Sequence, residues 1–157
     1  MNKKISLIIL IIMLFTLSAC NTKEERKPIS SDSFKLVAED DDYTVKDVTD
    51  TLKNKKGIKE AIVASVKTDY QIEYYVLDDN ETAQKMYTRN KNRFENVKSS
   101  LDKAEVTETD NYSEYKVTSR NRYMLVCKID NTLIYASVEE KYKDNVTSLI
   151  KRLGYIK

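Results

Sequence analysis

Few side chains in this 157-residue sequence could do chemistry, and the two cysteines, Cys20 and Cys127, come first. Histidine is absent. That removes the commonest general base, the commonest metal ligand and every Ser-His or Cys-His nucleophile pair. Carboxylates remain. Glu73 sits within Tyr70-Gln71-Ile72-Glu73-Tyr74-Tyr75-Val76-Leu77, and Asp69 and Asp78 flank that stretch. Two of these could act as a glycosidase pair only at a separation of about 5–9.5 Å. With 25 acidic residues in the chain, such neighbours arise without meaning. Glu39-Asp40-Asp41-Asp42 lacks the alternating oxygen ligands, central glycine and distant glutamate of a calcium loop, and reads as a solvated turn. Two glycines, Gly57 and Gly154, are too few for a phosphate-cradling loop. The sequence therefore offers no catalytic residue and no metal-ligand set, and it is read as non-enzymatic.

Cys20 is distinguished by what precedes it. Met1-Asn2-Lys3-Lys4 is basic, residues 5–15 are apolar apart from Ser6, and Leu17-Ser18-Ala19 leads with small or polar residues into the cysteine. This is the order of a secretory signal peptide. The apolar run is shorter than the ~20 residues that a membrane-spanning helix needs. Leu17-Ser18-Ala19-Cys20 resembles the lipobox of bacterial lipoproteins. The resemblance implies recognition of Leu17, Ser18 and Ala19 by the lipoprotein signal peptidase, cleavage before Cys20, and a diacylglycerol thioether on its thiol. Residues 1–19 are then a signal peptide, and no cofactor beyond the covalent lipid is expected. Each buried lipid methylene contributes ~0.8 kcal/mol, and two chains hold a protein stably where one does not.

The elements that would position any site follow from hydrophobic periodicity. Residues 20–33, polar and containing Pro28, read as the lipidated cysteine and a flexible tether, with residues 34–157 as a single domain. A short helix is expected over 31–41, capped by Ser31 or Ser33, with Phe34, Val37 and Ala38 on one face. Strands are expected over 43–49, 58–68 and 70–77. In the last of these Tyr70, Ile72, Tyr74 and Val76 share one face, and Gln71, Glu73 and Tyr75 the other. Asp78 with Glu81 forms a capping box for a long helix reaching about Leu101, with Ala83, Met86, Tyr87, Asn90, Phe94, Val97 and Leu101 as its stripe. Its basic residues, Lys91 and Arg93 among them, read as a solvated outer face. Residues 102–111 read as loop. Strands follow over 112–118, 122–129 and 132–138, the last two joined by an Asp130-Asn131 turn. A final helix buries Tyr142, Val146, Leu149, Ile150 and Leu153 and stops at Gly154.

The expected fold is α+β: a mainly antiparallel sheet with helices packed on one face. Ile62 to Leu77 and Met124 to Glu139 repeat the same order of strand, turn, strand and acidic helix start, giving an α-βββ-α-βββ-α pseudo-repeat. Duplication and chance likeness of amphipathic hairpins both remain open. Cys127 shares a face with Tyr123, Leu125 and Ile129 and reads as a buried apolar residue, not a reactive thiol. The eleven tyrosines read chiefly as core substitutes for the missing tryptophan.

Asp69 to Asp78 and Glu140-Lys141-Tyr142-Lys143-Asp144 also resemble small lipoproteins of low-GC Gram-positive bacteria. That resemblance covers most of residues 34–155 and carries no catalytic signature. Taken together, the expected function is a membrane-anchored extracytoplasmic lipoprotein whose domain binds a partner without catalysis. The candidate face is Gln71, Glu73 and Tyr75, and the partner an envelope protein or cell-wall component. The alternatives are a cell-envelope hydrolase with paired carboxylates and a solute-binding component of a transporter. Lys and Arg total 27 against 25 acidic residues, and Lys3 and Lys4 leave with the signal, so the balance gives no footprint for nucleic acid. The expected location is the outer leaflet of the cell membrane, facing outward.

Overall fold

The computed structural model describes residues 25–52 and 54–157. Leu17, Ser18, Ala19 and Cys20 therefore lie outside the described residues. The architecture is α+β. Strands β1 (Thr44–Asp47), β2 (Ile58–Val66), β3 (Tyr70–Leu77), β4 (Glu105–Glu108), β5 (Tyr112–Ser119), β6 (Arg122–Ile129) and β7 (Thr132–Glu139) form one antiparallel sheet, ordered β1-β2-β3-β7-β6-β5-β4. Helix α1 (Ser31–Asp40) precedes the sheet, α2 (Asn80–Val97) links its halves, and α3 (Lys143–Arg152) closes the domain.

The halves meet at β3 and β7, where Ile72 pairs with Ala136, Glu73 with Tyr135 and Tyr74 with Ile134. The hairpins β2–β3 and β6–β7 are thus related by a local twofold running through Glu73 and Tyr135. The helices break it, because α2 and α3 lie on opposite faces.

That placement corrects the expectation of helices on one face. Phe34 and Ala38 of α1 and Val146, Leu149 and Ile150 of α3 pack with Ile62, Ile72, Tyr74, Leu125, Cys127 and Ile134 on the first face. Ala83, Tyr87 and Phe94 of α2 pack with Leu77, Tyr115, Val117, Met124, Val126 and Leu133 on the second. The physical reason is visible in β6, where Tyr123, Met124, Leu125, Val126 and Cys127 are all buried. A continuous apolar run belongs to a strand covered on both sides, not one.

Other details also differ. The α2 cap is Asp79, whose Oδ1 accepts from the Thr82 N–H at 2.7 Å, and Glu81 pairs with Lys85 at 2.6 Å instead of closing a box with Asp78. Ser30, not Ser31 or Ser33, caps α1. Helix α2 ends at Val97, where Lys98 turns extended and the Ser99 N–H donates to Ser119 Oγ at 2.9 Å. Leu101 is left outside the helix and exposed. Strand β4 falls within residues that the polar sequence predicts to be loop; all four of its residues are exposed, so its pairing with β5 leaves no hydrophobic alternation to read. Lys91 does not stand free: its Nζ lies 3.0 Å from Glu108 Oε1 and ties α2 to β4.

The domain also begins earlier than residue 34. Arg26 Nη1 donates to the Tyr155 carbonyl at 2.5 Å, and its guanidinium lies 3.7 Å over the Tyr112 ring. Asn111 Nδ2 donates to the Arg26 carbonyl at 2.6 Å, and the Tyr74 hydroxyl to the Ile29 carbonyl at 2.5 Å. Polar composition suggested a tether here, yet these backbone carbonyls accept hydrogen bonds from donors of the domain, a role that composition cannot reveal. The acidic run is likewise tied down, because Asp40 and Asp41 both pair with Arg152 at the end of α3.

Candidate functional site

The alternation of β3 sends Ile72, Tyr74 and Val76 to the first face and Gln71, Glu73 and Tyr75 to the second. Helix α2 lies over β5, β6, β7 and the end of β3, so the second face is covered only in part. Gln71 is exposed, and Glu73 and Tyr75 are half-buried. The structure brings these three predicted residues into one network. Gln71 Nε2 donates to Glu73 Oε1 at 2.9 Å, and the Tyr75 hydroxyl donates to Oε2 at 2.5 Å. Burial first, then the adjoining Glu73 carboxylate, pushes the Tyr75 hydroxyl well above its ordinary range, so it remains a donor.

Both Glu73 oxygens are thus occupied by neutral donors, an arrangement that holds an ordered acceptor rather than freeing an acid or base. Its sequence neighbours do not converge on it. At ~3.3 Å per strand residue, Asp69 and Asp78 lie roughly 13 and 16 Å away along the chain, beyond glycosidase spacing. Among the described residues, no cluster of three or more Cys, Asp or Glu could hold a metal ion. Cys127 is fully buried, and burial drives its thiol well above the ordinary value, so it has no thiolate character.

Tyr135, opposite Glu73 on β7, extends this face toward β6. Its ring stacks on Phe94 of α2 with centroids 5.3 Å apart. Beyond it, α2, β7 and the β5–β6 turn enclose a cleft of about 340 Å³ whose rim carries Arg93, Arg120 and Arg122. The sequence reads Arg93 as part of the solvated outer face of the helix and places Arg122 at a strand start, and it assigns neither of them, nor Arg120, to a site. The available signal was the parity of β6, which puts Arg122 on the same face as Met124 and Val126.

No family model matches the chain, and no curated protein matches it. Among solved structures, the crystal structure of a GTP-binding regulator from Thermotoga maritima is similar at 19% identity and a TM-score of 0.47, over 80% of this chain and 84% of that one. Likeness at this level says nothing of what the present chain binds.

Proposed function

We propose that this chain is a membrane-anchored extracytoplasmic lipoprotein whose domain is a non-enzymatic binding module. The observation that carries the binding role is the unequal cover of the sheet. One face is sealed by α1 and α3, while on the other Gln71, Glu73 and Tyr75 stand ordered and accessible beside α2. An accessible face of ordered donors and acceptors with an aromatic edge suits recognition of a polar partner, because tyrosine offers apolar area with a polar tip. The partner class is an envelope protein or cell-wall component.

Anchoring rests on the lipobox resemblance at Leu17-Ser18-Ala19-Cys20, with Cys20 carrying the lipid and no other cofactor. The early start of the domain supports a close attachment. The residues between Cys20 and Arg26 span at most about 20 Å at ~3.3–3.6 Å each, so the edge bearing Arg26, Asn111 and Tyr155 would stay near the outer surface of the cell membrane. Metabolic labelling with a fatty-acid analogue tests this. Wild type takes up label and Cys20→Ala does not; equal label on both would remove the anchor.

A further inference from the structure

Three arginines gather at the cleft between α2, β7 and the β5–β6 turn, and no carboxylate lines it. Among the described residues none of the three has an ion-pair partner, although Arg152 holds two carboxylates and Lys116 lies within reach of two more. Arg122 is nevertheless held in place. Its Nη2 donates to the Ser137 carbonyl at 2.8 Å and to Ser137 Oγ at 3.0 Å. Those bonds use one nitrogen, and among the described residues the rest of the guanidinium fork has no hydrogen-bond partner. The wall is aromatic: Tyr135, stacked on Phe94. Like charges brought together repel, and a bound anion relieves that cost. The guanidinium fork matches the oxygens of a phosphate, and a volume of about 340 Å³ suits a small ligand.

We infer that this cleft binds the phosphate of a phosphate ester, with Arg93, Arg120 and Arg122 on the phosphate oxygens and Tyr135 against the esterified body. The inference goes beyond the proposed Gln71, Glu73 and Tyr75 surface and adds a second site to the same face. The ester could be soluble or a lipid headgroup, and the test separates these sources.

The full chain in detergent is titrated, in a phosphorus NMR experiment, with glycerol 3-phosphate and, separately, with short-chain phosphatidylglycerol. Binding of either probe that weakens about tenfold or more in Arg93→Gln and in Arg122→Gln supports the site, since a hydrogen bond to a charged group is worth that much. Preference for the first probe assigns a soluble ester, and preference for the second a headgroup. Arg120→Gln, on an exposed turn, decides the matter should either other variant lose its circular dichroism. Binding of neither probe, binding undiminished in the folded variants, or equal displacement by glucuronate would overturn the inference. Cys20→Ala should bind as wild type does. Loss of lipid label with retained phosphate binding would therefore be a failure of neither claim, whereas label without phosphate binding would sink the cleft alone.

Discussion

The two faces of the sheet use similar residues to different ends. On the first face Phe34 stacks on Tyr74 with ring centroids 4.8 Å apart, and α1 and α3 cover the strands from Val45 to Val138. Ion pairs from Arg152 to Asp40 and Asp41 lock the ends of those helices together. On the second face α2 packs through Ala83, Tyr87 and Phe94 and leaves its neighbours toward β2 open. The difference teaches that burial and availability are set by where a helix ends, not by strand composition. Tyr74 and Tyr75 are adjacent, yet the first is fully buried and donates to a backbone carbonyl, while the second faces an accessible carboxylate.

The largest effect that can break this contrast is cavity formation. Phe34→Ala should cost about 3–5 kcal/mol, a large part of a domain stability of ~5–15 kcal/mol. Phe94→Ala should fall at the lower end of that range, because Phe94 adjoins the arginine cleft and the space left can open to water. Urea melts of the two variants compare the faces. A larger loss for Phe94→Ala would mean that α2, not the α1–α3 face, holds the domain together.

Alkaline pH tests the burial of the first face more gently. Burial, the largest cause in each case, raises the hydroxyls of Tyr43, Tyr74, Tyr112 and Tyr155 well above their ordinary value of 10.0. A folded state that holds these protons contributes stability that is whole below pH about 10 and is lost as pH climbs through the folded values. Phenolate absorbance from these rings should therefore appear together with loss of circular dichroism. Smooth titration of all tyrosines near pH 10 in a protein that stays folded would contradict their burial.

The smallest effect concerns the outer side of α2. Lys91→Ala removes the pair with Glu108 and a contact 5.9 Å from the Tyr87 ring, and should cost about 0.2–1 kcal/mol. A loss above ~2 kcal/mol would make the β4 edge a structural support instead of a surface strand.

Much of the framework was legible in sequence because alternation survives wherever a strand has one covered face. Tyr70 to Leu77 read correctly residue by residue, and so did the Asp130-Asn131 turn, where Asp130 takes a φ of 48°. The second helical layer is written in the unbroken apolar run of β6, whereas the period-2 neighbours of Cys127 alone report only one covered face. Strand β4 was not legible, since it is held by backbone pairing and buries no side chain. The Glu73 network was half legible: parity gave its members, but hydrogen bonding to both carboxylate oxygens depends on rotamers. The arginine cleft was illegible because Arg93, Arg120 and Tyr135 come from a helix, a turn and a strand, which only the pairing of β5, β6 and β7 together with the packing of α2 on them brings together.

The most direct measurement places a photo-crosslinking residue at position 71 or at position 36 of the full chain and irradiates intact cells. Both positions are exposed, Leu36 at 69% and on the opposite side of the sheet, and Leu36 is the more apolar of the two. If the partly open face is the binding surface, adducts form from position 71 and not from position 36. Adducts from position 36 alone, or equally from both, would contradict it.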